Sequence, residues 1–308
     1  MEWMEFVTPA NVCAAVLLLV PYLAVAFWGK AIRLGVLALP RSVQIAVPVL
    51  LCVPYVLVNV GAGNFRWAWF ALYALLPVAI AALLRHATPE NGNSSHDAGA
   101  RPELRQSGLW REFAVLAVLG LAVDLRWFES AWPPHLAIFN KVLLLDVGIY
   151  AFVLLRELEG TGFDLRLRWR DLVTGLREAA FYTPVALALG LSLGFLHSHN
   201  AWPGLMPIAG AWIFTFFFIA VPEELFFRGW LQNLIERKLG RTWALLITAA
   251  LFGLAHFNKR TTFFNWQYVL LAAIAGVFYG RAWRRDRRVG ASAVTHATVD
   301  AIWSLWLK

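Results

Sequence analysis

Residues 222–228 read Pro-Glu-Glu-Leu-Phe-Phe-Arg and break an otherwise apolar run from Trp212 to Ile235. A charged side chain near the middle of a bilayer costs at least ~2.5–3.5 kcal/mol on insertion scales, so such residues usually face a polar cavity and do chemistry there. Glu224 and Arg228 stand i,i+4 and can pair, which offsets part of the cost of both. Glu223 points ~100° around a helix from Glu224 and remains available for other work. One carboxylate held by an arginine with a second beside it suits general-base catalysis. An ion-pair network bracing two helices would use the same residue types. Pro222 lacks an N–H and is expected to kink the helix or to begin one, leaving backbone donors near the carboxylates.

Two further polar outliers lie downstream. His256 shares an i,i+4 face with Phe252, and His296 shares one with Asp300. Taken singly, a histidine on an apolar face is more often a satisfied core residue than a catalytic one. Depth brings them together. At 1.5 Å per residue, Glu223 and His256 lie roughly 20 Å from the Lys238 and Thr242 ends of their segments, while His296 lies roughly 10 Å from Gly290. The last helix must therefore tilt or start at a different level. Glu223, His256 and His296 are also donors that a divalent metal such as zinc accepts, although no His-Glu-x-x-His helix is present.

The elements that must position these side chains are membrane helices. The chain is 60% hydrophobic and only 15% charged. Its apolar stretches reach the roughly 20 residues a spanning helix needs, and no segment alternates as a β-barrel strand would. Ten candidate spans follow: 12–28, 43–61, 67–84, 112–131, 136–155, 179–197, 208–235, 242–257, 266–283 and 289–306. The fourth carries Asp124, Arg126 and Glu129, so nine is also consistent. The fold expected is an all-α polytopic membrane protein. The N-terminal Met-Glu-Trp-Met-Glu-Phe lacks the basic region of a signal peptide, so the first span is expected to be retained. Cys13 and Cys52 read as buried small hydrophobes.

The net charge of +8 is no nucleic-acid signal, because the basic residues cluster in alternate connections between spans. Connections rich in Lys and Arg are cytoplasmic by the positive-inside rule, and they also suit anionic lipid headgroups. Tryptophans 28, 67, 110, 132, 202, 243, 266, 283 and 306 sit at span ends, as an interfacial aromatic belt would. A polar linker at 85–111 is expected in the cytoplasm. The chain divides into an N-terminal membrane region, 1–165, and a C-terminal helical unit, 170–308, entered through a short interfacial helix at Trp169–Glu178.

The order Glu-Glu-x-x-x-Arg, Phe-x-x-x-His, His-x-x-x-Asp resembles the CPBP family, which comprises CAAX-type prenyl proteases and bacteriocin-processing or immunity proteins also called Abi proteins. The likeness covers roughly residues 175–308 and extends to Val-Pro-Glu-Glu-Leu-Phe-Phe-Arg-Gly-Trp, Leu-Phe-Gly-Leu-Ala-His-Phe and Gly-Val-Phe-Tyr-Gly-Arg-Ala-Trp. It implies an intramembrane endopeptidase. Glu223 would activate water and His256 would position it, while His296 and residue 300 would polarise the scissile carbonyl. Glu224 and Arg228 would organise the site. The family's last position is often Asn, and an ionised Asp300 would oppose an oxyanion, so Asp300 is expected to orient His296 or to be protonated. The resemblance favours glutamate-activated water with no obligate cofactor, a divalent metal on Glu223, His256 and His296 being the alternative.

The partners expected are the lipid bilayer and a membrane-embedded or membrane-anchored peptide, CAAX-like or bacteriocin-leader-like, with no nucleic acid. The location expected is the plasma membrane of a prokaryote, with the site opening toward the cytoplasmic side. A non-enzymatic immunity or scaffold protein would keep the fold but not need the full motif set. A transporter would show related halves with paired broken helices, and no such repeat is visible. Among other polar residues, Lys141 and Asp146 read as partners for neighbouring helices. His197, Ser198 and His199 read as solvated loop residues, and Asn258 and Asn265 as flanks of the eighth span that could reach the cavity mouth.

Overall fold

The computed structural model describes residues 8–85, 109–198, 202–259 and 263–307. Most of the 85–111 linker, the N-terminal hexapeptide, His199 and Arg260 lie outside them. The described residues contain no strand, and the protein is an all-helical polytopic chain. It divides into two compact units, Met1–Leu158 and Glu159–Lys308.

The first unit holds α1 (Pro9–Leu37), α2 (Arg41–Gly61), α3 (Trp67–Arg85), α4 (Leu109–Asp124) and α5 (Pro134–Leu155). Thr8 caps α1 by accepting from the Asn11 N–H, and Pro9 sits in the first turn, where its missing N–H costs nothing. The helix bends at Trp28 and continues to Leu37. Pro48 and Pro54 accompany a 3₁₀ stretch at Val47–Cys52 inside α2. The fourth span is shorter than expected. It ends at Asp124, because Arg126 turns into the left-handed region and pairs at 4.0 Å with Glu129 outside the helix. Its first-turn Glu112 is buried and held by Arg156 at 2.5 Å. Asp146 is buried on α5, and its oxygens meet no hydrogen-bond donor among the described residues; Lys141 points to the outside.

The second unit holds α6 (Trp169–Ser192), α7 (Leu205–Leu254), α8 (Trp266–Asp286) and α9 (Val289–Trp306). The expected interfacial helix at Trp169–Glu178 is the first part of α6 and not a separate element. Asp171 accepts from the Arg168 backbone N–H at 2.9 Å in the first turn, and no breaker follows before the span. Gly240, at φ +76°, bends α7 into two antiparallel arms, so α7 serves as both the seventh and the eighth expected spans. The second arm packs closely on α8 through small residues. A Cβ on Gly253 would lie 2.5 Å from the Val269 carbonyl oxygen, and one on Gly276 would lie 3.0 Å from Ala249 Cα. Bare backbone at such crossings is how membrane helices gain van der Waals contact without an aqueous hydrophobic drive.

Among the described residues, five helical segments are long and apolar enough to cross a membrane by length and composition alone: α1, α2, α3, α5 and α7. The buried carboxylates of α6 are paired with arginines, as a low-dielectric interior requires. Glu178 on α6 accepts from Arg177 and from Arg281 of α8 at 2.7 and 3.2 Å. Asp171 accepts from Arg288 at 2.9 Å. Two of the expected belt tryptophans belong to the interior instead. Trp132 donates to the Tyr73 hydroxyl at 2.8 Å, and Trp283 donates to the Thr161 carbonyl at 3.2 Å. Both are buried because their N–H finds a protein acceptor, whereas Trp28, Trp67, Trp110, Trp202, Trp243 and Trp266 are exposed. Both cysteines are free, Cys52 buried as expected and Cys13 exposed on the outer face of α1.

Candidate functional site

The Pro-Glu-Glu segment lies within a continuous helix that neither starts nor breaks at Pro222. π-helical turns at Phe216–Ala220 and Leu225–Gln232 flank a single α-turn, Val221–Glu224. A π-turn shifts the hydrogen-bond ladder by one residue, so it relieves the clash and the missing donor that a proline imposes on an α-helix. Such turns often mark functional sites.

Glu224 is the structural hub. Its side chain and that of Arg228 are 0% exposed, and Arg228 Nε donates to Glu224 Oε2 at 3.0 Å. His296 Nδ1 lies 2.9 Å from the other carboxylate oxygen, Oε1. Ser292, one turn before His296 on α9, directs its hydroxyl at Glu224 Oε2. Three polar groups from two helices thus converge on one buried carboxylate, which fixes the rotation of α9 against α7. The Arg228 guanidinium also stands 5.2 Å over the Phe252 ring, a favourable contact for a cation removed from water.

The second carboxylate, Glu223, faces elsewhere. Its side chain is 28% exposed, as is that of Asp300. Both approach the same atom, His296 Nε2, Glu223 at 3.9 Å and Asp300 at 3.5 Å. Tyr279 stacks on the His296 ring at 4.6 Å and 17°, locking its plane. His256, just beyond the end of α7, sets its Nδ1 2.8 Å from the Phe252 carbonyl, which fixes the ring. Phe252 and Tyr268 hold that ring from the sides at 4.9 and 4.8 Å.

Glu223, His256, His296 and Asp300 all line one cavity of about 280 Å³. Glu224 and Arg228 lie behind it and do not line it. The remaining wall is largely apolar and aromatic, with Tyr182, Phe195, Tyr268 and Trp303 prominent. From Glu223 the lining passes to Leu196, Lys259 and Leu307, the end of the unit where α6 and α9 finish and α8 begins. The opposite end is filled. Arg288 bonds Asp171 at 2.9 Å and Asp164 at 3.3 Å, Arg287 bonds Glu236 at 2.7 Å, and Val289 N–H bonds the Gly162 carbonyl at 3.0 Å. Asn265 stays out of the cavity, since it caps α8 by accepting from the Tyr268 N–H at 3.1 Å.

Both nitrogens of His296 face carboxylates, and among the described residues no group of three His, Cys, Asp or Glu side chains could enclose an ion. Ser292 and Tyr279 escaped the sequence reading. Ser292 had a signal, because Ser292, His296 and Asp300 repeat at i,i+4 on one face. Tyr279 had none beyond its place in the Gly-Val-Phe-Tyr-Gly segment.

A helical membrane unit that gathers two carboxylates and two imidazoles around one cavity, with an arginine buried behind them, has the layout of an intramembrane hydrolase. Residues 205–302 match the family model described as Type II CAAX prenyl endopeptidase Rce1-like. No curated protein and no solved structure matches the chain.

Proposed function

We propose that the protein is an intramembrane endopeptidase that hydrolyses a peptide bond of a membrane-associated substrate with glutamate-activated water. The observation that carries this reading is the unequal treatment of the two adjacent glutamates. Glu224 is saturated by Arg228, His296 and Ser292, while Glu223 presents its carboxylate to the cavity beside His296 Nε2.

In this reading Glu223 removes a proton from a cavity water as its oxygen attacks the scissile carbonyl carbon. The same proton then passes to the departing amine nitrogen, leaving one new carboxylate and one new amine. His256, fixed through Nδ1 by the Phe252 carbonyl, offers Nε2 to position the water. His296 offers its Nε2 to the carbonyl oxygen as charge develops there. Asp300, on the same Nε2, supports the orienting role over a direct oxyanion role, since an ionised carboxylate repels an oxyanion. Glu224 and Arg228 act through His296 and are positioning residues.

The test compares membrane proteomes of cells carrying the wild-type chain and Glu223→Gln. A membrane peptide that is cut in the first and accumulates intact in the second is expected. Identical peptide ends in both would remove the protease reading.

A further inference from the structure

We propose that the Tyr279 hydroxyl is a catalytic donor, hydrogen-bonding the scissile carbonyl oxygen beside His296 Nε2 as negative charge develops there. That role presupposes the hydrolase reading. Stabilising an oxyanion calls for fixed donors aimed at one point. His296 Nε2 supplies one. Asp300 stands on that same nitrogen at 3.5 Å, but an ionised carboxylate has only acceptor oxygens. A second donor must come from elsewhere on the cavity wall.

Two wall hydroxyls are already committed. Tyr182 donates to the Leu271 carbonyl at 3.0 Å, and Thr183 donates to the Ala179 carbonyl at 2.8 Å. Tyr279 differs. It lines the cavity and is only 2% exposed, yet its hydroxyl meets no hydrogen-bond partner among the described residues. The cavity is the direction left for that bond. The residue is also held on two sides. Its ring lies flat on His296, at 4.6 Å and 17°, with Phe252 against it at 5.7 Å and 74°. Its carbonyl oxygen lies 2.9 Å from Ser292 Oγ, the same hydroxyl that addresses Glu224. With ring and backbone both fixed, the hydroxyl has little freedom to turn away, and a donor already in place stabilises charge without reorienting first. Asp300, Tyr182, Glu224 and Glu223 are the ionisable groups within electrostatic reach of this phenol, which sets it among the reacting groups. A phenol keeps its proton at neutral pH and so remains a donor. The proton stays on Tyr279 throughout, and the transfer from water through Glu223 to the departing amine is unchanged.

The experiment follows membrane proteins of cells that carry the full chain as wild type, Glu223→Gln or Tyr279→Phe at equal levels in the membrane. The probe is each membrane peptide whose ends differ between wild type and Glu223→Gln, and the readout is the rate at which its intact form disappears after an isotope pulse. Phenylalanine keeps the ring on His296 and removes only the hydroxyl, so a purely packing role would leave the rate unchanged. The expected result is a ~10²–10³-fold slower rate, the usual cost of one oxyanion donor, with an unchanged unfolding midpoint in micelles. Fluorotyrosine in place of Tyr279 keeps a donor of the same reach and should restore cleavage. A Tyr279→Phe rate within about tenfold of wild type, less than one oxyanion donor is worth, would overturn the proposal and leave the hydrolase reading intact. A midpoint lowered along with the rate, and no rescue by fluorotyrosine, would make the hydroxyl structural and overturn it too. Equal peptide ends in wild type and Glu223→Gln would remove the hydrolase reading itself, and this role with it.

Discussion

Replacing Arg228 with alanine is expected to cost the folded protein about 3 kcal/mol, and the geometry around Glu224 sets that figure. Removing one partner of a buried ion pair typically costs ~3–5 kcal/mol, because the other charge stays out of water without compensation. Glu224 would keep His296 and Ser292 as neighbours, so the loss of the 3.0 Å Arg228 bond alone belongs at the lower end of that range. The truncation also removes the guanidinium from the face of Phe252. The assay is reversible unfolding of the purified protein in mixed micelles, read by the change in midpoint and slope. A companion double variant, Arg228→Met with Glu224→Gln, removes both charges while filling the space, and should recover most of the stability. An Arg228→Ala loss below about 1 kcal/mol, the level of an exposed pair, would show that this pair does not hold the hub together.

Glu223→Gln should lower the turnover number by ~10²–10⁴-fold, the usual scale of a lost general base, with an unchanged unfolding midpoint because its side chain is 28% exposed. Residual turnover above about a tenth of wild type would move the base elsewhere. Asp171→Ala should destabilise the protein by no more than ~3 kcal/mol, the lower end for a broken buried pair, because Arg288 keeps Asp164 and two carbonyls as partners, and Asp171→Asn by less, compared in the same unfolding assay. Gly253→Val should cost more than about 1 kcal/mol and lower the folded yield, since a Cβ would meet the Val269 carbonyl; a normal yield would show that the two helices can separate freely. Cleavage should survive strong chelation followed by dialysis, and a loss restored by added zinc would refute the metal-free mechanism.

The site was legible where the sequence paired polarity with period. Glu224 with Arg228 and His296 with Asp300 each announced one face of a helix, and the bilayer's penalty for burying them separately drew the two faces together. Backbone departures were not legible. The π-turns around Pro222 come from the helix absorbing a proline under tertiary packing, and no residue type encodes that solution alone. The shortened fourth helix shows the same limit, as its end depends on Arg126 adopting a positive φ. Trp132 and Trp283 misled because a tryptophan at a helix end reads alike whether its N–H meets water or a buried acceptor. Arginines counted along the chain look solvated, yet several of them pair inward and fill the end they mark.

That filled end has an electrical consequence. A cavity that admits water to the middle of a bilayer thins the insulator beneath it, from ~30 Å of hydrocarbon to whatever protein remains. Here the remainder is the layer of side chains from Glu224 to Arg288, and the membrane voltage must drop across it. Moving one elementary charge through a full 100 mV is worth ~2.3 kcal/mol, and a focused field acts over this short layer. The carboxylates and imidazoles at its upper edge therefore sit where the potential begins to fall. Proton transfer between Glu223 and its water would then shift with membrane potential, making the turnover of an energised cell differ from that of a detergent micelle.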